Sequence, residues 1–449
     1  MMGVRQEREL YERDVTRYEH ALLHCPDRSC HTVVPSCIEA RESFDTGDAH
    51  RKAIIDVATG VAAPLLLDYV AATLRSSQLL GVERLYFLAR DGQALYRIAG
   101  VLETLLRTGI DFRYLEASRT TLCLAASRSY SDETHSALLP RMHRLSSDEV
   151  SQRLRISLDE LSRHVSLPRR RTESLGMDRA QRLAKALETT PLRARLLDES
   201  SKLRERTIPF LEEVGFFDNL RIGVVDLGGA GSQLRALGLL RMERRLSRPV
   251  GFLFSRDADR SFGGRCRWND DRCGCAPLLV HSRDEVAGIG PARFTAMLTL
   301  MEVFCSADHG RVNDYRPSSD GSWCAVTDLR PSSELQDWGF TELRAAIDAV
   351  VGSVARDGVL PDHLSSCALK NHRRFVLEPT IGEASAWGAF PVGPHDKLVS
   401  PLTMRSLART LRRGEIVPEA RRWWPASRIQ SPLPVRACVA ALTRVRRRL

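Results

Sequence analysis

The stretch from Ile222 to Gln233 reads IGVVDLGGAGSQ, and its grammar decides how the rest of the chain is read. Ile222 to Val225 is a short apolar run of buried-strand character, and Leu234, Leu237 and Leu240 then fall at helical spacing. Between them lies a loop of small residues. Glycine permits positive φ and close backbone approach, so the amides of Gly228, Gly229, Ala230 and Gly231 can point at a phosphate over the N-terminus of the next helix. Ser232 adds a hydroxyl, and Asp226 can accept hydrogen bonds from ribose hydroxyls. A turn of this kind also arises from tight packing, so a second feature is needed.

That feature lies upstream. Leu85 to Ala89 (LYFLA) is another apolar strand, followed by Arg90, Asp91, Gly92 and Gln93, then by a helix with Leu95, Ile98, Ala99, Leu102 and Leu105 on one face. Arg90 can neutralise pyrophosphate, Asp91 can hold Mg²⁺ or accept a proton, and Gly92 lets the chain turn tightly. The plain alternative is a capped turn with an Arg90–Asp91 ion pair. Phe112 to Leu115 reads as a third strand leading into ASRTT, where Arg119 can reach a phosphate or brace the sheet. Val250 to Phe254 reads as a further strand.

Strand, loop and helix repeating in this way predict an α/β fold with a mainly parallel sheet, and such sheets bind ligands at the carboxyl ends of their strands. Both Asp-containing loops belong at that edge. Two loops there suit a donor carrying a phosphate at one end and a pyrophosphate at the other, as 5-phosphoribosyl 1-pyrophosphate does.

Around this centre, residues 1–50 read as an irregular lead-in, and residues 51–410 as the sheet domain. Within it, about 132–215 forms a helical insertion, read as solvated, with an Arg-lined wall over the site as the alternative. Residues 411–449 read as a basic tail that includes Trp423 and Trp424. The first twenty residues are charged, and no later stretch reads as a membrane span, so a cytoplasmic protein without a transmembrane segment is expected.

The eleven cysteines are odd in number and scattered, so reduced thiols are expected. His24, Cys25, Cys30, His31 and Cys37 form one cluster, and Cys266, Cys273 and Cys275 another. Neither has paired C-x-x-C spacing, which argues against zinc. The formal charge is +10, and only five of the 66 basic residues are lysine (52, 185, 202, 370 and 397). Arginine suits phosphate through its planar fork, although a GC-rich genome produces the same bias. The chain carries no nucleic-acid-binding motif, so no nucleic-acid partner is expected.

The segments GVERLYFLARDGQALYRIA, FRYLEASRTTL, IGVVDLGGAGSQLRAL and MEVFCSADHGRVNDY together resemble the phosphoribosyltransferases that install ribofuranose. These are similar to domains fused to haloacid-dehalogenase-type phosphatases in polysaccharide clusters, and to the stand-alone enzymes of ribostamycin, butirosin and neomycin biosynthesis that act on neamine. The resemblance spans roughly residues 50–410. It implies a phosphoribosyltransferase-like sheet and Mg²⁺ as cofactor. It also implies transfer of 5-phosphoribose to a sugar hydroxyl of an aminoglycoside precursor or polysaccharide, with a separate phosphatase acting on the product. Asp226 would orient the ribose, Gly228 to Ser232 would bind the 5-phosphate, and Arg90 with Mg²⁺ at Asp91 would hold the pyrophosphate. Asp91 and Glu302 are the candidate bases, Glu302 being equally readable as a paired core acid. The chain departs from the common pattern in having Leu227, not a second acid, after Asp226.

Two rival readings stand beside this one. Asp257 and Asp259 could hold the metal of a nucleotide-sugar transferase, or the Trp and Arg tail could anchor a non-enzymatic accessory protein of polysaccharide assembly.

Overall fold

β1 (Arg84–Leu88), β2 (Asp111–Leu115), β3 (Ile222–Gly229), β4 (Val250–Arg256) and β5 (Ala276–Leu279) lie side by side in the order β2-β1-β3-β4-β5, and every pairing is parallel. The computed structural model describes residues 14–26, 28–129, 137–139, 142–171, 173–189, 191–229, 231–256, 276–279, 291–328, 333–358, 360, 365–393, 396–404, 408 and 422–446. The predicted mixed α/β class with a parallel sheet is therefore observed.

Strand side chains alternate between faces, and the two faces belong to two cores. Leu85, Phe87, Val225, Phe252 and Phe254 point into one. Tyr86, Leu88, Ile222, Val224 and Leu253 point into the other. Both faces are covered, which is why these strands read as continuous apolar runs. Each such side chain removed from water contributes about 1.5–3 kcal/mol.

The Gly92–Leu106 helix, which carries the chain from β1 to β2, packs on the first face through Leu95, Ile98, Ala99 and Leu102. The return from β2 to β3 runs over the second face. Helices Arg119–Ala126, Ser147–Leu154, Leu158–Ser162, Gly176–Leu187 and Leu192–Glu213 occupy that path. Val150, Leu154, Leu161, Leu183, Leu187, Leu196 and Phe210 are buried there with the strands. The segment read as a solvated insertion is thus the layer that covers half the sheet. Some of its charged residues pair on the outer side, such as Arg195 with Asp198 and Glu199.

Four expectations are corrected. The described part of the lead-in is helical and buried: Arg17–Leu23 begins with a Thr16–Glu19 capping box, and Leu22, Val33, Val34, Cys37 and Ile38 join the main core. Even Glu19 is inside, satisfied by Arg41 Nε at 2.9 Å, and burial on several sides leaves no amphipathic period to read.

The run Ala49–Leu79 does reach spanning length and hydropathy, with a π turn at Ala58–Ala62, but 89% of its apolar window is buried in the protein core. The thiols are not all reduced either, since Cys25 is bonded to Cys367. The described tail is integrated too: Trp423 is fully buried, and its Nε1 donates to the Val376 carbonyl at 2.8 Å. That removes Trp423 as a surface anchor.

Candidate functional site

The strand order changes direction at β1. The chain leaves β1 toward the first face, whereas it leaves β3, the next strand over, toward the second, through the Ser232–Glu243 helix and its buried Leu234, Leu237 and Leu240. Helices diverging from neighbouring strands open a crevice at the strands' carboxyl ends, the usual ligand position in doubly wound sheets. A cavity of about 510 Å³ lies at this edge, bounded by Ala89, Arg90 and Asp91 after β1, Ala117 to Thr120 after β2, and Gln233 after β3. Thr299, Glu302 and Val303 of the Pro291–Phe304 helix close one side.

Local sequence explains the β1 loop. A Cβ on Gly92 would lie 2.7 Å from the Phe87 carbonyl carbon, so only glycine lets the helix start this close to the strand. Asp91 occupies the N-cap position yet makes no capping hydrogen bond. No Arg90–Asp91 ion pair forms among the described residues, so the capped-turn alternative does not describe this loop. Asp91 instead borders the cavity with Glu302.

The two acids titrate as a pair. Burial pushes the Asp91 carboxyl up to about 8, the charges of Glu302 and Asp226 push the same way, and Arg90 opposes them. Burial also raises Glu302, against the pull of Arg90 and Arg119. Glu302 is exposed where it borders the cavity, and it has no ion-pair partner among the described residues, so it is not a paired core acid.

Asp226 stands at the end of the β3 apolar run. Burial lifts its carboxyl to about 6, while the amides of Gly228 and Leu227 and the charge of Arg119 hold it down. The hydroxyl of Tyr69, from the long buried helix, donates to the Asp226 carbonyl at 2.8 Å and the Phe252 carbonyl at 3.0 Å, tying the ends of β3 and β4 together.

The glycine-rich stretch differs from its expectation. Pairing with β4 continues through Gly228 opposite Ser255 and Gly229 opposite Arg256, so β3 extends four residues past Val225. Ala230 lies outside the described residues. Gly231, at φ 65°, is the N-cap of the following helix and offers no side chain to it, leaving the helix's first amides to other partners. Asp226, Gly228, Gly231 and Ser232 are not part of the cavity wall, which the segment reaches through Gln233. Ser232 is buried, and its carbonyl accepts from the Cys123 thiol at 3.8 Å.

Arginines supply the opposite charge. Arg119 is exposed at the start of its helix and borders the cavity with Arg90. Arg153, Arg311 and Arg422, which the sequence reading did not single out, border it as well. Burial holds Arg153 below its usual value, and the like charges of Arg119 and Arg311 add to that against Glu149. Three guanidiniums crowded at one cavity wall have the chemistry to hold an oxyanion. Arg153 comes from the Ser147–Leu154 helix and is the one arginine that the described helical segment gives to this wall, the others coming from outside it. Its only sequence signal was the density of arginine.

His309 is held by Tyr114 (2.5 Å) and by the Gly310 carbonyl (2.8 Å) outside the cavity wall. Asp308 bridges Gln93 (2.6 Å) and Arg344 (2.8 Å), bracing the β1 loop from behind. Asp257 and Asp259 lie outside the described residues, as do Cys266, Cys273 and Cys275.

Carboxylate oxygens suit Mg²⁺. Among the described residues, though, the carboxylates of Asp91, Asp226 and Glu302 do not all come within 4.8 Å of one another. They fit a cation that takes one or two protein oxygens and completes its shell with water and substrate. No family model matches the chain, and no curated protein matches it either.

Proposed function

We propose that this protein is a phosphoribosyltransferase with a phosphoribosyltransferase-like fold. It would move 5-phosphoribose from 5-phosphoribosyl 1-pyrophosphate to a sugar hydroxyl of an aminoglycoside precursor such as neamine or, alternatively, of a polysaccharide. The observation that carries this reading is the pairing, around one 510 Å³ cavity at the switch point, of an arginine wall with two unpartnered carboxylates.

The wall of Arg119, Arg153 and Arg311 supports binding of one phosphate group of the donor, and Arg90 supports the other. Mg²⁺, held through Asp91 with substrate oxygens, would supply neutralisation of the pyrophosphate. Asp226, behind the cavity wall, would set the charge beneath the ribose and orient it through the strand end it sits on.

In the transfer, the bond from the anomeric carbon to pyrophosphate breaks with its electron pair on the leaving group, and the acceptor oxygen forms the new bond from the opposite face. The acceptor's proton passes to Glu302, the acid of the pair that does not hold the cation. Donor phosphates offset the excess positive charge of the cavity, which leaves Glu302 to face the acceptor's hydroxyl and amino groups. The product retains its 5-phosphate, so a separate phosphatase would follow.

The test is a mass-resolved assay with Mg²⁺, 5-phosphoribosyl 1-pyrophosphate and neamine, run beside Asp226→Asn and Asp91→Asn. Gain of a phosphopentosyl unit, lost in both variants, is the expected result. Absence of product together with absence of donor binding overturns the proposal, and donor binding without product redirects only the acceptor.

A further inference from the structure

Cys25, Cys30 and Cys367 meet inside the main core. Cys25 follows the Arg17–Leu23 helix, Cys30 belongs to the 3-10 turn Arg28–Val33, and Cys367 lies on the Ser365–Leu377 helix, 342 positions from Cys25. All three are buried, at 6%, 0% and 5% exposure, and their sulfurs lie within 4.8 Å of one another. The Cys25 and Cys367 Cα atoms are 6.4 Å apart, and these two cysteines form a disulfide.

A disulfide joins two of these sulfurs, and the third lies beside them. A tetrahedral zinc ion bound at about 2.3 Å to each sulfur holds them about 3.8 Å apart, and the observed cluster is compatible with that span. His31 follows Cys30 directly. Its Nε2 is 3.1 Å from the Cys25 carbonyl oxygen, and its ring nitrogens lie outside the 4.8 Å group that the three sulfurs form.

From this convergence we infer that the reduced protein holds a structural Zn²⁺ on Cys25, Cys30 and Cys367. The ion pins the N-terminal helices to the Ser365–Leu377 helix. The disulfide is the metal-free, oxidised form of the same cluster. On oxidation, two thiolates pass two electrons to an oxidant of the peroxide class, the bond between Cys25 and Cys367 forms, and Zn²⁺ leaves. Nothing in this depends on the phosphoribosyl reading.

The experiment measures metal in the full chain, purified under reducing conditions without chelator. About one Zn²⁺ per chain is expected, falling to background in Cys30→Ser and Cys367→Ser and persisting in Cys37→Ser, a buried cysteine outside the cluster. Replacing zinc by Co²⁺ in the unmutated protein should produce a thiolate-to-metal charge-transfer band, a readout independent of how the variants fold. Peroxide should release the metal and leave a chain two hydrogens lighter. Absence of both zinc and the cobalt band in the reduced protein overturns the inference, as does full zinc content in Cys30→Ser.

Discussion

The loops after β1 and β3 look alike in sequence, each an apolar strand, an aspartate, glycine and a helix, yet they are built for different work. After β1 the strand stops at Leu88, and the chain turns at once, leaving Arg90 and Asp91 at the cavity. After β3 the strand runs on to Gly229, paired with β4, and the segment reaches the cavity only through Gln233. One loop offers side-chain charge, and the other offers backbone amides at a helix start. Chemistry is therefore expected to depend steeply on side chains after β1 and weakly on those after β3.

The largest effect should come from Asp91→Asn. Removing the carboxylate that holds Mg²⁺ against the leaving pyrophosphate lowers turnover by about 10²–10³-fold, with a smaller loss of donor affinity, measured by single-turnover kinetics and donor titration. If turnover survives while affinity collapses, the β1 loop is a binding loop and the contrast fails. Next come Arg119→Ala and Arg153→Ala, each expected to weaken donor binding by about 10–100-fold, since a charge-assisted hydrogen bond is worth about 1.5–3 kcal/mol. The double variant should lose less than the sum, because each removal relieves the crowding on the other.

Gly92→Ala should cost about 1–3 kcal/mol of stability, because the added Cβ meets the rigid β1 backbone; a denaturant midpoint reads this out.

The buried acids make stability depend on pH. Asp91 at about 8 and Asp226 at about 6 titrate above their unfolded values near 4, so the folded chain keeps protons that the unfolded chain has released. Their contribution to stability is complete below about pH 4 and is lost as pH rises toward 8. Asp91→Asn should flatten the upper part of that fall in a melting-temperature series.

The smallest effect belongs to Ser232→Ala, expected to change donor affinity by less than about 5-fold, since Ser232 is buried away from the cavity wall. A loss of 100-fold would place a phosphate on the β3 loop after all and erase the difference between the two.

The carboxyl-edge placement of both loops and the parallel sheet were legible because each depends on short-range pattern: an apolar run, a punctuating glycine, a helical repeat. Arg153 and Arg311 were not, because arginine is abundant throughout and nothing local distinguishes a guanidinium aimed into a cavity from one in solvent. The length of β3 was likewise hidden, since whether Leu227 to Gly229 continue a strand depends on β4 being there to accept their hydrogen bonds.

The N-terminal cysteines show the same limit at greater range. Spacing over Cys25, Cys30 and Cys37 argued against a metal because the completing sulfur, Cys367, is hundreds of residues away. By itself the sequence determined the class of fold, the faces of its strands and helices, and which loops could carry charge, since these follow from periodicities of two and 3.6 residues and from backbone freedom at glycine. Which charges meet, which strands lengthen and which sulfurs converge was decided only by the tertiary structure, because those depend on distances between segments that local preference does not set.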